Sequence, residues 1–192
     1  MKKIETNLKD CYIIEPNKFG DDRGYFSPYF IQENFDELGF ERVVQANRSK
    51  SGKGVLRGLH FQEDPKCQAK IVEVIKGSAI DVVVDIRTGS PSYGQSVEVL
   101  LTEDNNRQLF VPRGFAHGFI SLEEDTVFQY LIDNDYAPEL DGGIYWNDPA
   151  LGINWEEIFE KHDIKEPSLS EKDQKLPTLA KSKTKFYYKG KK

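Results

Sequence analysis

From residue 71 to residue 131 the chain repeats one pattern: a short run rich in β-branched and aromatic side chains, then a polar turn. The runs cover residues 71–75, 79–86, 96–101, 108–111, 118–122 and 126–131, with an earlier one at 11–14. Such side chains favour the pleated, half-buried surface of a sheet. Lys76-Gly77, Gly89-Ser90-Pro91, Glu103-Asp104-Asn105-Asn106, Pro112-Arg113-Gly114 and Glu123-Glu124-Asp125 supply the turns. Within 71–75, Ile71, Glu73 and Ile75 fall on one face and Val72 and Val74 on the other, as in an antiparallel strand with unlike sides. Parallel strands would need crossovers of roughly a dozen residues, and the gaps here leave no room for a helix in each. The pattern predicts an all-β chain folded as a sandwich or barrel, with a few short peripheral helices.

Two segments have helical periodicity. Residues 31–38 place Ile31, Phe35 and Leu38 on one face and stop at Gly39, and residues 155–161 bring Trp155, Ile158 and Phe159 together. A chain of 192 residues with 38% hydrophobic content can bury one good core, so residues 1–178 read as a single domain. Residues 179–192 read as a lysine-rich, mobile C-terminal tail whose aromatics pack locally, since six lysines and two tyrosines fall between Lys181 and Lys192. A formal net charge of −6 weighs against a broad nucleic-acid or anionic-membrane surface. It leaves room for an anionic small molecule, because a few arginines in a pocket act locally. No run approaches the roughly 18 apolar residues of a membrane span, and no apolar run follows Lys2-Lys3, so no signal peptide is expected. Cys11 and Cys67 do not make a disulfide framework; both read as free thiols of a cytoplasmic protein.

The segment Arg57-Gly58-Leu59-His60-Phe61-Gln62 carries the strongest chemical signal. An imidazole takes or gives a proton near neutrality, and His60 is flanked by a guanidinium and a carboxamide. Ten residues on, Lys70 adds a cation able to stabilise an anion formed by proton transfer. Other separated segments pair polar groups with small or turn residues, as pocket walls do. They include Gly20-Asp21-Asp22-Arg23-Gly24, Gln45-Ala46-Asn47-Arg48, and Pro112-Arg113-Gly114-Phe115-Ala116-His117, which offers His117 from a glycine-flanked turn between strands. Tyr130 closes an apolar strand, and Tyr136 precedes Ala137-Pro138.

Six ordered blocks then carry a family resemblance. They are Phe19-Gly20-Asp21-Asp22-Arg23-Gly24-Tyr25-Phe26, Val55-Leu56-Arg57-Gly58-Leu59-His60-Phe61-Gln62, Val83-Val84-Asp85-Ile86-Arg87 with Ser90-Pro91-Ser92-Tyr93-Gly94-Gln95, Pro112-Arg113-Gly114-Phe115-Ala116-His117-Gly118-Phe119, Trp146-Asn147-Asp148-Pro149-Ala150-Leu151-Gly152-Ile153 and Leu169-Ser170-Glu171-Lys172-Asp173. With this order and spacing the chain resembles the nucleotide-sugar 3,5-epimerases of the cupin superfamily, from about residue 5 to about 178. The resemblance implies a cupin-type jelly roll, a homodimer, and a dTDP-4-keto-6-deoxy sugar held inside the barrel. It also implies that no cofactor is used.

Epimerising the carbons beside a ketone means removing an α-proton, holding an enolate and returning a proton to the opposite face. That needs a base, an oxyanion stabiliser and an acid across the ring. By resemblance His60 is the base, Asp173 orients it, Lys70 stabilises the enolate and Tyr130 is the acid. Arg23, Asn47 and Arg57 correspond to positions that hold the diphosphate or the sugar, Gln45 to one near the base, and His117 and Tyr136 to residues lining the sugar pocket. His162 has no counterpart. Two positions depart from the family pattern: Ser27-Pro28-Tyr29 stands where many members carry a glutamate near the nucleotide base, and Asp135 where an aromatic often precedes Tyr136. Three other readings compete: a sibling acting at one carbon of a related 4-keto nucleotide sugar, a non-catalytic sugar-binding cupin, and a metal-dependent cupin. The last would bring closely spaced histidines and a glutamate to one metal; His60 has Leu59, Phe61 and Gln62 around it, so no metal is expected.

Overall fold

Each of the seven alternating runs becomes a strand. In the computed structural model, which describes residues 1–190, one antiparallel sheet runs in the order β1 (Lys2–Glu5), β2 (Tyr12–Glu15), β10 (Gln108–Val111), β7 (Lys70–Lys76), β12 (Thr126–Ile132) and β5 (Gln45–Ser51). A second runs β13 (Asp141–Gly143), β6 (Leu56–Gln62), β11 (Phe115–Ser121), β8 (Ser78–Asp85) and β9 (Ser96–Thr102). A two-stranded hairpin, β3 (Phe19–Asp21) with β4 (Gly24–Phe26), stands apart from both. Helix α1 (Gln32–Asp36) and helix α2 (Trp155–Lys161) occupy the two periodic segments, and α3 (Glu171–Gln174) adds one turn.

The sheets pack face to face. Val72 and Val74 of β7, Phe128 of β12, Ala79 and Val83 of β8 and Phe115 and Phe119 of β11 meet in the layer between them. The opposite face of β7 turns Ile71 outward, where it packs with Phe35 of α1, Phe40 and Leu131. The outer face of the second sheet is covered by Trp155, Ile158 and Phe159 of α2. Three buried layers therefore fix the two sheets, and α1 and α2 each cover one of them.

The sequence predicts a mobile tail for residues 179–192; as far as residue 190 the segment is docked on the domain. Phe186 is buried and meets Phe61 edge-on, with ring centroids 5.9 Å apart. The Thr88 N–H donates to the Phe186 carbonyl at 2.9 Å, and the Tyr188 N–H donates to the Thr88 carbonyl at 3.0 Å. The Arg87 guanidinium lies over the rings of Phe115 and Tyr188. Burying one large aromatic ring gains roughly 2–3 kcal/mol, enough to dock the segment despite its lysines. Residues 191 and 192 lie outside the described residues.

Candidate active site

Between the sheets the apolar layer gives way to a polar cavity of about 480 Å³. It shares His60, Lys70, Tyr130 and Lys172 with an adjoining lobe of about 350 Å³. Both are of the size of ligand clefts. Residues three apart on a regular strand face opposite ways, yet Arg57 and His60 both line this cavity. Strand β6 achieves this with a bulge: His60 stands opposite His117 and Arg57 opposite Phe119, so three steps on β6 match two on β11. Glycine on both strands permits it. Gly58 has a φ of 132°, and a Cβ there would lie 2.6 Å from the Gly118 Cα.

Asp173 reaches the same place from the far end of the chain. The Ser170 hydroxyl caps α3 by accepting the Asp173 N–H at 3.1 Å. The Asp173 carboxylate then lies 2.6 Å from His60 Nε2, with the His60 side chain 32% exposed to the cavity. Burial works to raise the Asp173 carboxyl, but the His60 ring, the Gly58 amide and Ser170 outweigh it and hold it below the usual carboxylate range. Across the cavity, Lys70 of β7 and Tyr130 of β12 project from the other sheet. Burial pushes the Lys70 ammonium down to about 8, against the pull of Asp81 and Asp141. Burial pushes the Tyr130 phenol up from its ordinary value, with Arg57 opposing. The imidazole and the phenol thus enter one cavity from opposite sheets.

The remaining candidates divide. Asn47 stands beside Tyr130 and Gln45 beside Ile132 in the β5–β12 pairing, and the Gln45 amide donates to Asn47 Oδ1 at 2.6 Å in the second lobe. Arg57 Nε donates to Ser51 Oγ at 3.2 Å. His117 lines the cavity too, though not from a turn. The turn ends at Gly114, β11 begins at Phe115, and His117 sits within the strand, its Nε2 2.9 Å and 3.1 Å from the two oxygens of Asp81. Tyr136 stands exposed at the mouth of the second lobe. Its loop is held by Gln62, whose Oε1 accepts the Ala137 N–H and whose Nε2 donates to the Asp135 carbonyl, each at 2.8 Å. The Asp135 carboxylate pairs with Lys66 at 3.4 Å.

Arg23 is not brought in. It sits exposed on the β3–β4 hairpin, pairs with Asp21 and lines a separate surface hollow. Cys67 is absent from the cavity lining, and burial pushes its thiol up to about 12. Reading the sequence missed Lys172, which lines both lobes and pairs with Asp141, and Asp81 behind His117. Lys172 precedes Asp173 in a block already singled out; Asp81 gave no signal beyond a charge within an apolar run. The histidines of the cavity are each taken by a carboxylate, and among the described residues no three His, Cys, Asp or Glu side chains are placed to hold a metal.

Comparison with known proteins shows the family. The profile of the dTDP-4-dehydrorhamnose 3,5-epimerase family matches residues 5–181. The chain belongs to that family. The dTDP-4-dehydrorhamnose 3,5-epimerase of Salmonella typhimurium is 47% identical over 178 residues, 92% of this chain and 94% of the relative. A crystal structure of the dTDP-6-deoxy-D-glucose-3,5-epimerase of Legionella pneumophila, in complex with dTDP-4-keto-L-rhamnose, superposes with a TM-score of 0.89 at 40% identity, covering 98% of this chain and 99% of that one. A 3'-monoepimerase from Streptomyces bikiniensis, in complex with dTDP-quinovose, superposes at 0.82 with 35% identity over 91% of this chain and 86% of that one. Within the dTDP-4-dehydrorhamnose 3,5-epimerase family this fold is the cupin-type jelly roll expected from the sequence.

Proposed function

We propose that the protein converts dTDP-4-dehydro-6-deoxy-D-glucose to dTDP-4-dehydro-L-rhamnose, inverting both carbons beside the ketone without a cofactor, as a step of dTDP-L-rhamnose synthesis. The observation that carries this reading is the entry of His60 and Tyr130 into one cavity from opposite sheets, with Lys70 on the strand beside Tyr130. His60 takes the α-proton, and the electron pair of the C–H bond moves onto the ketone oxygen. The Lys70 ammonium meets the enolate oxygen, and the Asp173 carboxylate stabilises the imidazolium at 2.6 Å. Tyr130 gives its proton to the opposite face of the carbon. The imidazolium and the phenolate then reset by exchange with water, so the new C–H carries a solvent proton. Positioned acid–base groups of this kind contribute about 10²–10⁴-fold.

The rest of the wall binds the nucleotide. Arg57 offers a guanidinium fork to phosphate oxygens, Lys172 adds an ammonium group at the junction of the lobes, and Tyr136 presents a ring at the mouth. Arg23 finds a role in a homodimer. The hairpin that carries it exposes Phe19, Tyr25 and Phe26, the last at 68%, a surface suited to a second copy. The free thiols Cys11 and Cys67 suit a cytoplasmic location.

Incubation with the substrate in deuterated water tests the reaction. Deuterium is expected at both carbons; label at one carbon favours the single-carbon activity of the Streptomyces bikiniensis relative, and label at neither defeats the assignment. His60→Ala abolishes exchange at both positions, and persistent exchange at either would reveal a second base.

A further inference from the structure

One carboxylate between the sheets is not explained by the fold. Asp81 stands on β8 between Ile80 and Val82, with Ala79 and Val83 on its own face, and is 0% exposed. Other buried carboxylates of the chain are held by several donors. Asp85 accepts from Arg87, Ser90 and Ser92, and Asp133 from Arg113 and the amides of Glu41 and Ala69. Asp81 has the His117 ring alone as its side-chain partner among the described residues. A buried charge so thinly matched is costly, and a valine like its neighbours would suit the core better.

Its surroundings say what it does. His117 stands directly opposite His60 in the β6–β11 pairing, so the two rings share one wall of the cavity. A carboxylate can only accept, so the hydrogen bond to Asp81 requires a proton on His117 Nε2 and fixes the orientation of the ring. Lys70 faces this wall from the other sheet. The groups around it are Tyr130 on β12, His60 and Arg57 on β6, His117 on β11, Lys172 and Asp173 on α3, Tyr136 at the mouth, and the carboxylates of Asp81 and Asp141. Asp141 is already paired with Lys172. Asp173 is held by the His60 ring and the Gly58 amide. Asp81 has one imidazole as its side-chain partner among the described residues, so it is the carboxylate with the most capacity left to balance Lys70.

We infer that Asp81 is a positioning residue of the active site: it orients His117 toward the sugar and serves as the buried counter-charge that keeps the Lys70 ammonium protonated when the enolate forms. The inference rests on the reading of Lys70 as the group that meets the enolate oxygen. Burial has already taken Lys70 down to about 8, so losing a facing carboxylate would bring its loss of charge further toward neutral pH.

The test is the pH dependence of deuterium exchange in the isosteric variant Asp81→Asn. An opposite charge at close range is worth about one pH unit or more, so the alkaline limb of the rate should move to lower pH by about that much. Lowering the pH should recover most of the lost rate. An equal fractional loss at every pH would make Asp81 merely structural and overturn the inference. If Asp81→Asn does not fold, His117→Leu, which has no donor, carries the test with the carboxylate retained. Freed from the imidazole, Asp81 should lean on Lys70 and move the alkaline limb to higher pH, with KM raised more than kcat falls; an unmoved limb overturns the inference. Wild-type protein that shows no exchange would instead sink the proposed reaction, so the two failures are distinct.

Discussion

Lys70 sets stability against activity, and replacing it with methionine should expose the conflict. Its ammonium holds a proton less firmly in the folded state, at about 8, than an ordinary lysine at 10.5. Each pH unit of that difference is worth about 1.36 kcal/mol, so the charged form costs the fold roughly 3 kcal/mol. The sign follows from proton counting. Below about pH 8 both folded and unfolded chains carry the proton and the cost is present in full. Between about 8 and 10.5 only the unfolded chain holds it, so stability rises with pH; above that range the cost is gone. Methionine has a similar straight chain and no charge to desolvate, and Lys70 makes no direct ion pair among the described residues that would be orphaned. Asp81 loses its facing cation, which offsets part of the gain. Lys70→Met should therefore be more stable at pH 7 by about 2–3 kcal/mol, a rise of about 4–10 °C in melting temperature for a chain of this size. The same variant should lose about 10²–10³-fold in kcat, as when an oxyanion donor is removed. Thermal melts followed by circular dichroism at pH 7, 9 and 10.5 read the first claim. A variant that melts at or below wild type at pH 7, or a gap that does not shrink toward pH 10.5, would refute the reasoning.

Two further expectations separate catalysis from architecture. Tyr130→Phe leaves His60 able to remove an α-proton and return it to the face it came from, so the variant should wash deuterium into substrate without inverting it; inverted product at the wild-type rate would remove Tyr130 from the acid role. Phe186→Ala empties a buried site outside residues 5–181 of the family match, and should cost about 3–5 kcal/mol in a urea titration while the folded enzyme keeps its exchange rate; an unchanged midpoint would mean that the ring contributes nothing to the fold.

What could be read from the sequence, and what could not, divides along the same physical line. Strands such as β7, β8 and β12 have apolar side chains on at least one face over their whole length, so their alternation gave them away to within a residue or two. β5 and β6 did not read as strands, because their inward residues Gln45, Asn47, Ser49, Arg57 and His60 face a polar cavity and break the apolar pattern. The expected helix at 31–38 shrank to Gln32–Asp36 with Ile31 left exposed, while Trp155–Lys161 held its full length because Trp155, Ile158 and Phe159 all found a core to enter. The convergence of His60, Lys70, Tyr130 and Asp173 is expected only from the family resemblance, with His60 and Asp173 inside its blocks and Lys70 and Tyr130 between them, since nothing local brings position 173 beside position 60. Periodicity could not foresee the bulge that turns Arg57 to the same side as His60, for that depends on two glycines meeting across separate strands.

A sandwich is an awkward place for four charged or proton-bearing groups, and that awkwardness decides how the chemistry can vary. Under the proposed mechanism a sugar ring between the sheets would present one face to His60 and the other to Tyr130, so inversion at a given carbon would be set by which sheet each group grows from. Neither group can migrate to a second carbon, because both are mid-sheet residues locked by backbone pairing on each side. Two carbons can be served by one such pair only if the ring moves between them while the nucleotide stays anchored. On the proposed reading, the freedom for that movement lies with the groups offered to the nucleotide, Arg57 and Lys172 in the cavity wall and Tyr136 at its mouth. Under that mechanism selectivity for one carbon or two would follow from how the diphosphate is held, and it agrees with this that a 3'-monoepimerase from Streptomyces bikiniensis shares the fold at a TM-score of 0.82.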